Sequence, residues 1–343
     1  MQKSSASTAI DTVDYNLNGT TIIIATGATS NFVTLSSIND NLSETNETVV
    51  IEISGVTNGT ESGTEIQTVT ILDDEPLPTV TLSVTPVSIN EAGGTTTVTA
   101  TLNTPAGRNV TVNLAKTGTA TETTDYALAS VITIPTGDSS ASIVLTASGD
   151  AIDELDESVI IDIASVIDGI EANLPTGQKV TVTLVDNNAT PTVTISAGTF
   201  NINESAPGEA TSITATLSGV SSQVVVVTLG KTGTATETGS QSDYTLPTTI
   251  SIPAGSFSAV VTLSAVGDLI DEDADGAIPS ETVIIDVTGV TNANELGTQQ
   301  QIVNIADDDV IPTVTLTTGS ASILEVTGST TVTATLSAVS GLP

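Results

Sequence analysis

The chain of 343 residues contains no cysteine, no histidine and no tryptophan, and only five basic residues. Without cysteine there is neither a disulfide nor a thiolate metal site. Losing histidine as well removes the usual zinc ligand sets, so any bound metal must be held by oxygen, which selects calcium or magnesium. Aromatic residues make up 2% of the chain, too few to build the platforms that carbohydrate adhesion would need. Five Lys and Arg stand against 40 Asp and Glu, a formal charge of −35. Such a chain repels nucleic acid and anionic membrane surfaces and attracts cations. No run approaches the roughly 20 apolar residues of a membrane-spanning helix. The opening Met1-Gln2-Lys3-Ser4-Ser5-Ala6 has no apolar signal core, so any export signal or anchor is expected outside this sequence.

What the chain does have is apolar residues in alternation. They make up 38% of it, and they alternate with polar ones, as in Thr95-Thr96-Thr97-Val98-Thr99-Ala100-Thr101-Leu102 and Gln178-Lys179-Val180-Thr181-Val182-Thr183-Leu184. Period-two alternation rich in Val, Ile and Thr marks half-buried antiparallel strands, and a folded chain rather than a disordered one.

The chain also repeats. Pro78-Thr79-Val80-Thr81-Leu82 returns as Pro191-Thr192-Val193-Thr194-Ile195 and as Pro312-Thr313-Val314-Thr315-Leu316. Asp-Tyr recurs at residues 14, 125 and 243, and an acidic triplet recurs as Asp73-Asp74-Glu75, Asp186-Asn187-Asn188 and Asp307-Asp308-Asp309. Units of this length are whole domains. The expected division is a partial repeat over 1–75 lacking its opening strands, complete repeats over 78–188 and 191–309, and opening strands alone over 312–343. In the second repeat strands are expected near 79–84, 95–102, 109–114, 131–134, 141–147, 157–164 and 178–185. This predicts an all-β chain of tandem immunoglobulin-like sandwiches of about seven antiparallel strands each.

Acidic residues fall in register between those strands. The second repeat carries Glu91, Asp125, a crowded loop with Asp150, Asp153, Glu154, Asp156 and Glu157, and then Asp186. The third carries Glu204, Asp243, Asp268, Asp271, Glu272, Glu281 and Asp307 to Asp309. Loops from one end of a sandwich cluster in space, and so many like charges together require a counter-ion. Calcium accepts about six to eight oxygens in flexible geometry and suits ligands drawn from several loops. Magnesium favours small, water-rich sites with few carboxylates.

The motifs Val87-Ser88-Ile89-Asn90-Glu91, Gly118-Thr119-Ala120 leading to Asp125-Tyr126, Asp150 through Glu157 followed by Ser158-Val159-Ile160-Ile161, and Val182-Thr183-Leu184-Val185-Asp186 together resemble the Calx-beta domain. The resemblance implies a seven-stranded sandwich with calcium at one tip, near the junction with the next module. By motif position its ligands fall on Glu91, Asp125, Asp150, Glu154 and Asp186. In the third repeat they fall on Glu204, Asp243, Asp268, Glu272, Asp307, Asp308 and Asp309. In the first they fall on Asp14, Asp40, Glu44, Asp73, Asp74 and Glu75, with no leading Glu. The last offers Glu325 alone. Asn187 and Asn188 depart from the pattern and reduce the charge of the second repeat.

Other readings are weaker. Carboxylates repeated in every module suit a structural role better than one active site, so no enzyme is expected. Threonine-rich strands need no ice-binding explanation, since Thr favours strands. Lys3, Lys116 and Lys231 sit at matching positions, and each is read as a solvated strand end rather than a cross-linking residue. The expectation is a calcium-stabilised stalk or filament segment of an extracellular, bacterial, adhesin-like surface protein. The alternative is a calcium-responsive regulatory or adhesive module. The expected partners are neighbouring repeats of the same or an adjacent chain. The incomplete ends are read first as places where a longer array is cut; the alternative is a head-to-tail homopolymer in which residues 312–343 of one chain complement residues 3–75 of another. Nucleic acid and membrane insertion are not expected.

Overall fold

The computed structural model describes residues 1–173, 176–205, 208–239, 242–271 and 280–340. Among them every regular element is a strand. The chain forms two compact units, Met1–Gly149 with Asp156–Val185, and Asp150–Leu155 with Asp186–Pro343.

The first unit holds a complete sandwich. One sheet runs in the order Tyr126–Ala127, Ser140–Ala147, Thr95–Leu102, Thr79–Thr85, Ile170–Glu171. The other runs Val131–Ile134, Val110–Gly118, Glu157–Ile167, Lys179–Val185, Ser88–Asn90. The alternation in sequence becomes alternation in burial. On Thr95–Leu102, Val98, Ala100 and Leu102 turn inward, while Thr99 turns outward and meets Ser142 across the pair at 2.8 Å between hydroxyls. Val80, Val112, Ile134, Leu145, Ile161 and Val182 fill the space between the sheets. Each fully buried Val, Leu or Ile side chain contributes about 1.5–3 kcal/mol, which lets a repeat of this size hold together without disulfides. The long strand Glu157–Ile167 pairs on both sides over residues 159–162, and beyond that it changes register against Val110–Gly118 at a bulge between Ile163 and Ser165.

Several short strands have no counterpart in the sequence reading: Ser88–Asn90, Tyr126–Ala127, Ile152–Asp153 and Ile170–Glu171. Each is too short to show a period. Ser88–Asn90 pairs in parallel with Lys179–Val185, and Ile170–Glu171 in parallel with Thr79–Thr85. These pairings come from chain crossovers and not from local alternation.

The first unit also contains the opening repeat. Gln2–Lys3, Glu47–Glu52 and Ile66–Ile71 form a three-stranded sheet, beside a hairpin of Tyr15–Leu17 and Leu35–Ser37. Ala9, Tyr15 and Val49 make a small core.

In the second unit residues 192–306 repeat the sandwich. Its sheet orders are Tyr244–Thr245, Ser258–Ala265, Ala210–Leu217, Thr192–Ala197, Asn294–Glu295 and Asn201–Asn203, Gln300–Ala306, Ser280–Thr291, Val225–Gly233, Thr249–Ile252. A hairpin of Val314–Thr318 and Val332–Leu336 follows, with all ten residues exposed.

Candidate metal centre

Two of the acidic positions are held by local turns that return in each of the first three repeats. Asp125 closes the loop before Tyr126 by accepting the Thr121 N–H on Oδ2 at 2.6 Å, and Asp243 accepts that of Thr236 at 2.6 Å. Asp14 accepts the Ile10 N–H in the same way. The loop also depends on glycine. Gly118 and Gly233 have φ of +127° and +125°, and a Cβ on either would meet the carbonyl oxygen of Ser158 or Thr282 at 2.0 Å. That close approach of backbone to backbone is open only to glycine.

The next acidic loop begins with an aspartate that accepts an N–H two residues on: Asp40 from Leu42 at 2.8 Å, Asp150 from Ile152 at 2.7 Å, and Asp268 from Ile270 at 2.8 Å. Such side-chain turns fix the start of each loop locally. The leading glutamates are placed by the parallel edge strands. Glu91 donates its N–H to Val185 O at 3.0 Å and Glu204 to Ala306 O at 3.2 Å, and both side chains are buried.

In the first unit these loops converge. A cavity of about 80 Å³ is lined by Asp14, Asp40, Glu44, Glu47, Asp73, Asp74 and Glu75. One oxygen each from Asp14, Glu44 and Glu47 lies within 4.8 Å of the others. Burial, then the hydrogen bond and charge of Asp14 and the charge of Glu44, push the Glu47 carboxyl up to about 7. Glu44 is raised by burial and by Asp40, Asp14, Asp73 and Glu75. Glu75 is raised by desolvation and by Asp74 and Asp73. All three shifts report carboxylates whose charge is unwelcome as they stand. Glu47 was not among the ligands carried over by motif. Its signal was the acid that opens the following strand, present again as Glu157 and Glu281.

In the second unit one oxygen each from Glu204, Asp307 and Asp309 lies within 4.8 Å of the others. Asp307 Oδ1 accepts the Asp309 N–H at 2.9 Å. Asp309 Oδ2 is buried and has no hydrogen-bond partner among the described residues. Its carboxyl is raised by burial and by the charges of Asp307, Asp308, Asp268 and Asp271. A buried carboxylate oxygen without a donor is costly unless a cation meets it. This donor set of carboxylates alone fits a hard divalent ion. Asp243, Asp268 and Asp308 lie outside the three-oxygen group, and Glu272 lies outside the described residues. The ligands expected for the second repeat are divided between the units, Glu91 and Asp125 in the first, Asp150, Glu154 and Asp186 in the second.

Two of the three lysines differ from the sequence reading, while Lys3 is exposed on its strand. Lys116 and Lys231 are not solvated strand ends; each side chain is only 9% exposed and is ion-paired, to Glu122 and Glu237 respectively. Lys116 Nζ also donates to Leu128 O at 2.8 Å and Lys231 Nζ to Leu246 O at 2.5 Å. Lys3 donates to Ala9 O and lies over the Tyr15 ring. The four-carbon stems of Lys116 and Lys231 are largely buried and deliver the charge to Glu122 and Glu237, in the loops that lead to the Asp-Tyr pairs.

The family model of the Calx-beta domain matches residues 2–75 and again residues 76–188. The chain belongs to the Calx-beta domain family. Similar solved structures include CBD12 from CALX1.2, with 18% identity, 60% of this chain and 79% of that chain covered, and a TM-score of 0.29. CBD12 of CALX1.1, named as a calcium binding domain, has 16% identity, 62% and 80% coverage and a TM-score of 0.28. The apo form of Calx CBD1 has 19% identity, 32% and 99% coverage and a TM-score of 0.28. At these scores the Calx-beta assignment rests on the family model. Comparison with curated proteins gives no match.

Proposed function

We propose that this chain is a calcium-binding structural segment of an extracellular stalk or filament, of the adhesin-like kind displayed on bacterial surfaces, and that it is not an enzyme. The observation that carries the metal reading is the buried Asp309 Oδ2 beside Glu204 and Asp307. The membership of the Calx-beta family and the second gathering of carboxylates around Asp14 support it. Glu204, Asp307 and Asp309 would hold one ion, and Asp14, Glu44 and Glu47 another. Bound there, the ion supplies positive charge and cross-links loops that the chain alone leaves in mutual repulsion. A stalk outside cells meets calcium near millimolar levels and needs only weak sites, whereas a regulatory module needs micromolar ones. Calorimetric titration of the whole chain with calcium separates them. Millimolar dissociation constants support the stalk, micromolar constants the regulatory alternative, and no heat of binding removes both.

The same reading extends to a partner, a second copy of the chain. Val314 and Leu316 are 63% and 72% exposed, and Val332 and Leu336 are also exposed. The matching Val193, Ile195, Ile213 and Leu217 of the complete sandwich are all buried. An apolar strand face of this kind favours addition to an open sheet, and the open sheet proposed is that of residues 3–75. Sedimentation of the full chain and of one lacking residues 312–343 tests this. Loss of self-association on deletion supports it, and a full chain that stays monomeric with calcium overturns it.

A further inference from the structure

The acidic loop of the first repeat does more than gather carboxylates. Ser43, between the candidate ligands Asp40 and Glu44, forms an isolated parallel bridge with Ala106 of the second repeat. Gly107 donates its N–H to Ser43 O at 3.0 Å, and Gly137 donates to Ala106 O at 2.9 Å. Arg108 Nη2 reaches Ser43 Oγ at 3.5 Å. The Glu44 side chain lies directly on Gly107. A Cβ there would meet Glu44 Oε1 at 2.3 Å and Cγ at 2.4 Å. Gly107 has no left-handed φ, so what glycine supplies at this position is room for a carboxylate that belongs to another repeat.

The pattern recurs within the second unit. Ile152–Asp153 pairs in parallel with Val220–Ser221. Ser222 donates its N–H to Asp153 O at 2.9 Å, and Gly255 donates to Ser221 O at 2.9 Å. Ser221 Oγ adds a buried hydrogen bond to Asp153 Oδ2 at 3.1 Å. Ile270–Asp271 pairs in parallel with Val339–Ser340. Ser43, Asp153 and Asp271 occupy one sequence position of the repeat, three residues after Asp40, Asp150 and Asp268. A backbone pairing repeated at the same place with different side chains is a feature of the fold and not of one sequence.

We propose that Gly107, which belongs to the second repeat and is no ligand, is a positioning residue of the first repeat's metal centre. The loop 38–47 is set by its pairing to residues 106–107, and ion binding by Glu44 and that pairing are one linked equilibrium. Linkage requires the effect to be reciprocal, so whatever the pairing adds to ion affinity, the ion adds to the pairing. This rests on the metal reading above.

Hydrogen exchange of the full chain, followed peptide by peptide through a calcium titration, tests it. Segments 38–47 and 104–110 gain protection with one shared calcium midpoint, distinct from that of 303–309. Gly107→Ala pushes the Glu44 carboxylate aside and moves both midpoints to about tenfold higher calcium, the scale of losing a group that orients a ligand. The 303–309 midpoint stays in place. Arg108→Ala gives a smaller shift in the same direction, and it decides the matter if Gly107→Ala exposes the strand Thr95–Leu102. Protection of 104–110 that ignores calcium, or an unmoved 38–47 midpoint in both variants, overturns the proposal and leaves the metal centre standing. No calcium effect at 303–309 either removes the metal reading and this proposal together.

Discussion

Two versions of the same turn end the second and third repeats. Asp186 Oδ1 accepts the N–H of Asn188 at 3.2 Å, and Asp307 Oδ1 accepts that of Asp309 at 2.9 Å. The backbone is alike; the third side chain differs by one group. Asn188 Nδ2 donates to Ile152 O at 2.8 Å and to Asp150 O at 3.4 Å, tying the end of the repeat to the acidic loop by hydrogen bonds. The Asp309 side chain has no N–H to give, and its Oδ2 is buried without a hydrogen-bond partner among the described residues. An amide closes the junction by itself, at a net gain of about 1 kcal/mol for such a bond. A carboxylate in the same place leaves the closure to a cation. On the function proposed above, metal dependence then turns on single side chains carried by a shared frame.

The largest expected effect of that difference appears when calcium is removed. A ligand at about 100 times its Kd stabilises the folded state by roughly 2.7 kcal/mol per site. Chelation should therefore lower the melting temperature and expand the chain in solution, and it should loosen residues 300–309 more than residues 179–188. Peptide-resolved hydrogen exchange with and without chelator measures both. Equal loosening of the two segments breaks the comparison, and no response anywhere removes the metal centre.

Exchanging the two side chains sharpens it. Asp309→Asn should weaken calcium binding by about tenfold, or about 1.4 kcal/mol, and should make the calcium-free third repeat more stable. Asn188→Asp should do the reverse. It removes the donor to Ile152 O, destabilises the calcium-free form by about 1–3 kcal/mol, and increases calcium affinity. Calorimetric titration of the variants together with their melts in chelator gives both halves. Unchanged affinity in both variants would show that the third position of the triplet supplies no ligand.

The fold class was legible because alternation reports burial directly. Val98, Ala100 and Leu102, read as one face, do face the core. Three- and two-residue parallel strands such as Ser88–Asn90 were not legible, because nothing local encodes a pairing made across the repeat. Recurrence pointed to the acidic loops, yet it could not say which oxygen each turn consumes. Asp14, Asp125 and Asp243 each spend one on a backbone N–H. Glu47 was passed over because it opens a strand and reads as part of it, although its carboxylate reaches Asp14 and Glu44. Lys116 and Lys231 were misread for a related reason. A long stem next to a turn looks solvated in sequence, but here it is largely buried and ends on Glu122 or Glu237.

The smallest expected effect is the dependence on pH, and its sign separates the two kinds of junction. The folded Glu47 carboxyl is raised from 4.5 to about 7, so between those values the calcium-free folded state binds more protons than the unfolded one. Stability then falls as pH rises through that window. Glu44 and Asp309 are shifted in the same direction, whereas Asn188, in the place of Asp309, cannot titrate. In chelator the melting temperature should therefore drop from pH 5.5 to pH 8, with protection lost at residues 44–52 and 303–309 before residues 182–188. Calcium should reverse the trend, because the ionised carboxylates are the ones that bind it and their protons must leave first. Affinity should accordingly rise with pH as Glu47 deprotonates near pH 7. A calcium-free melting temperature that is flat or climbs from pH 5.5 to 8 would mean that these carboxylates are not held against one another. A loss of protection spread equally over residues 182–188 would mean that the amide and carboxylate junctions do not differ in the way the turn geometry requires.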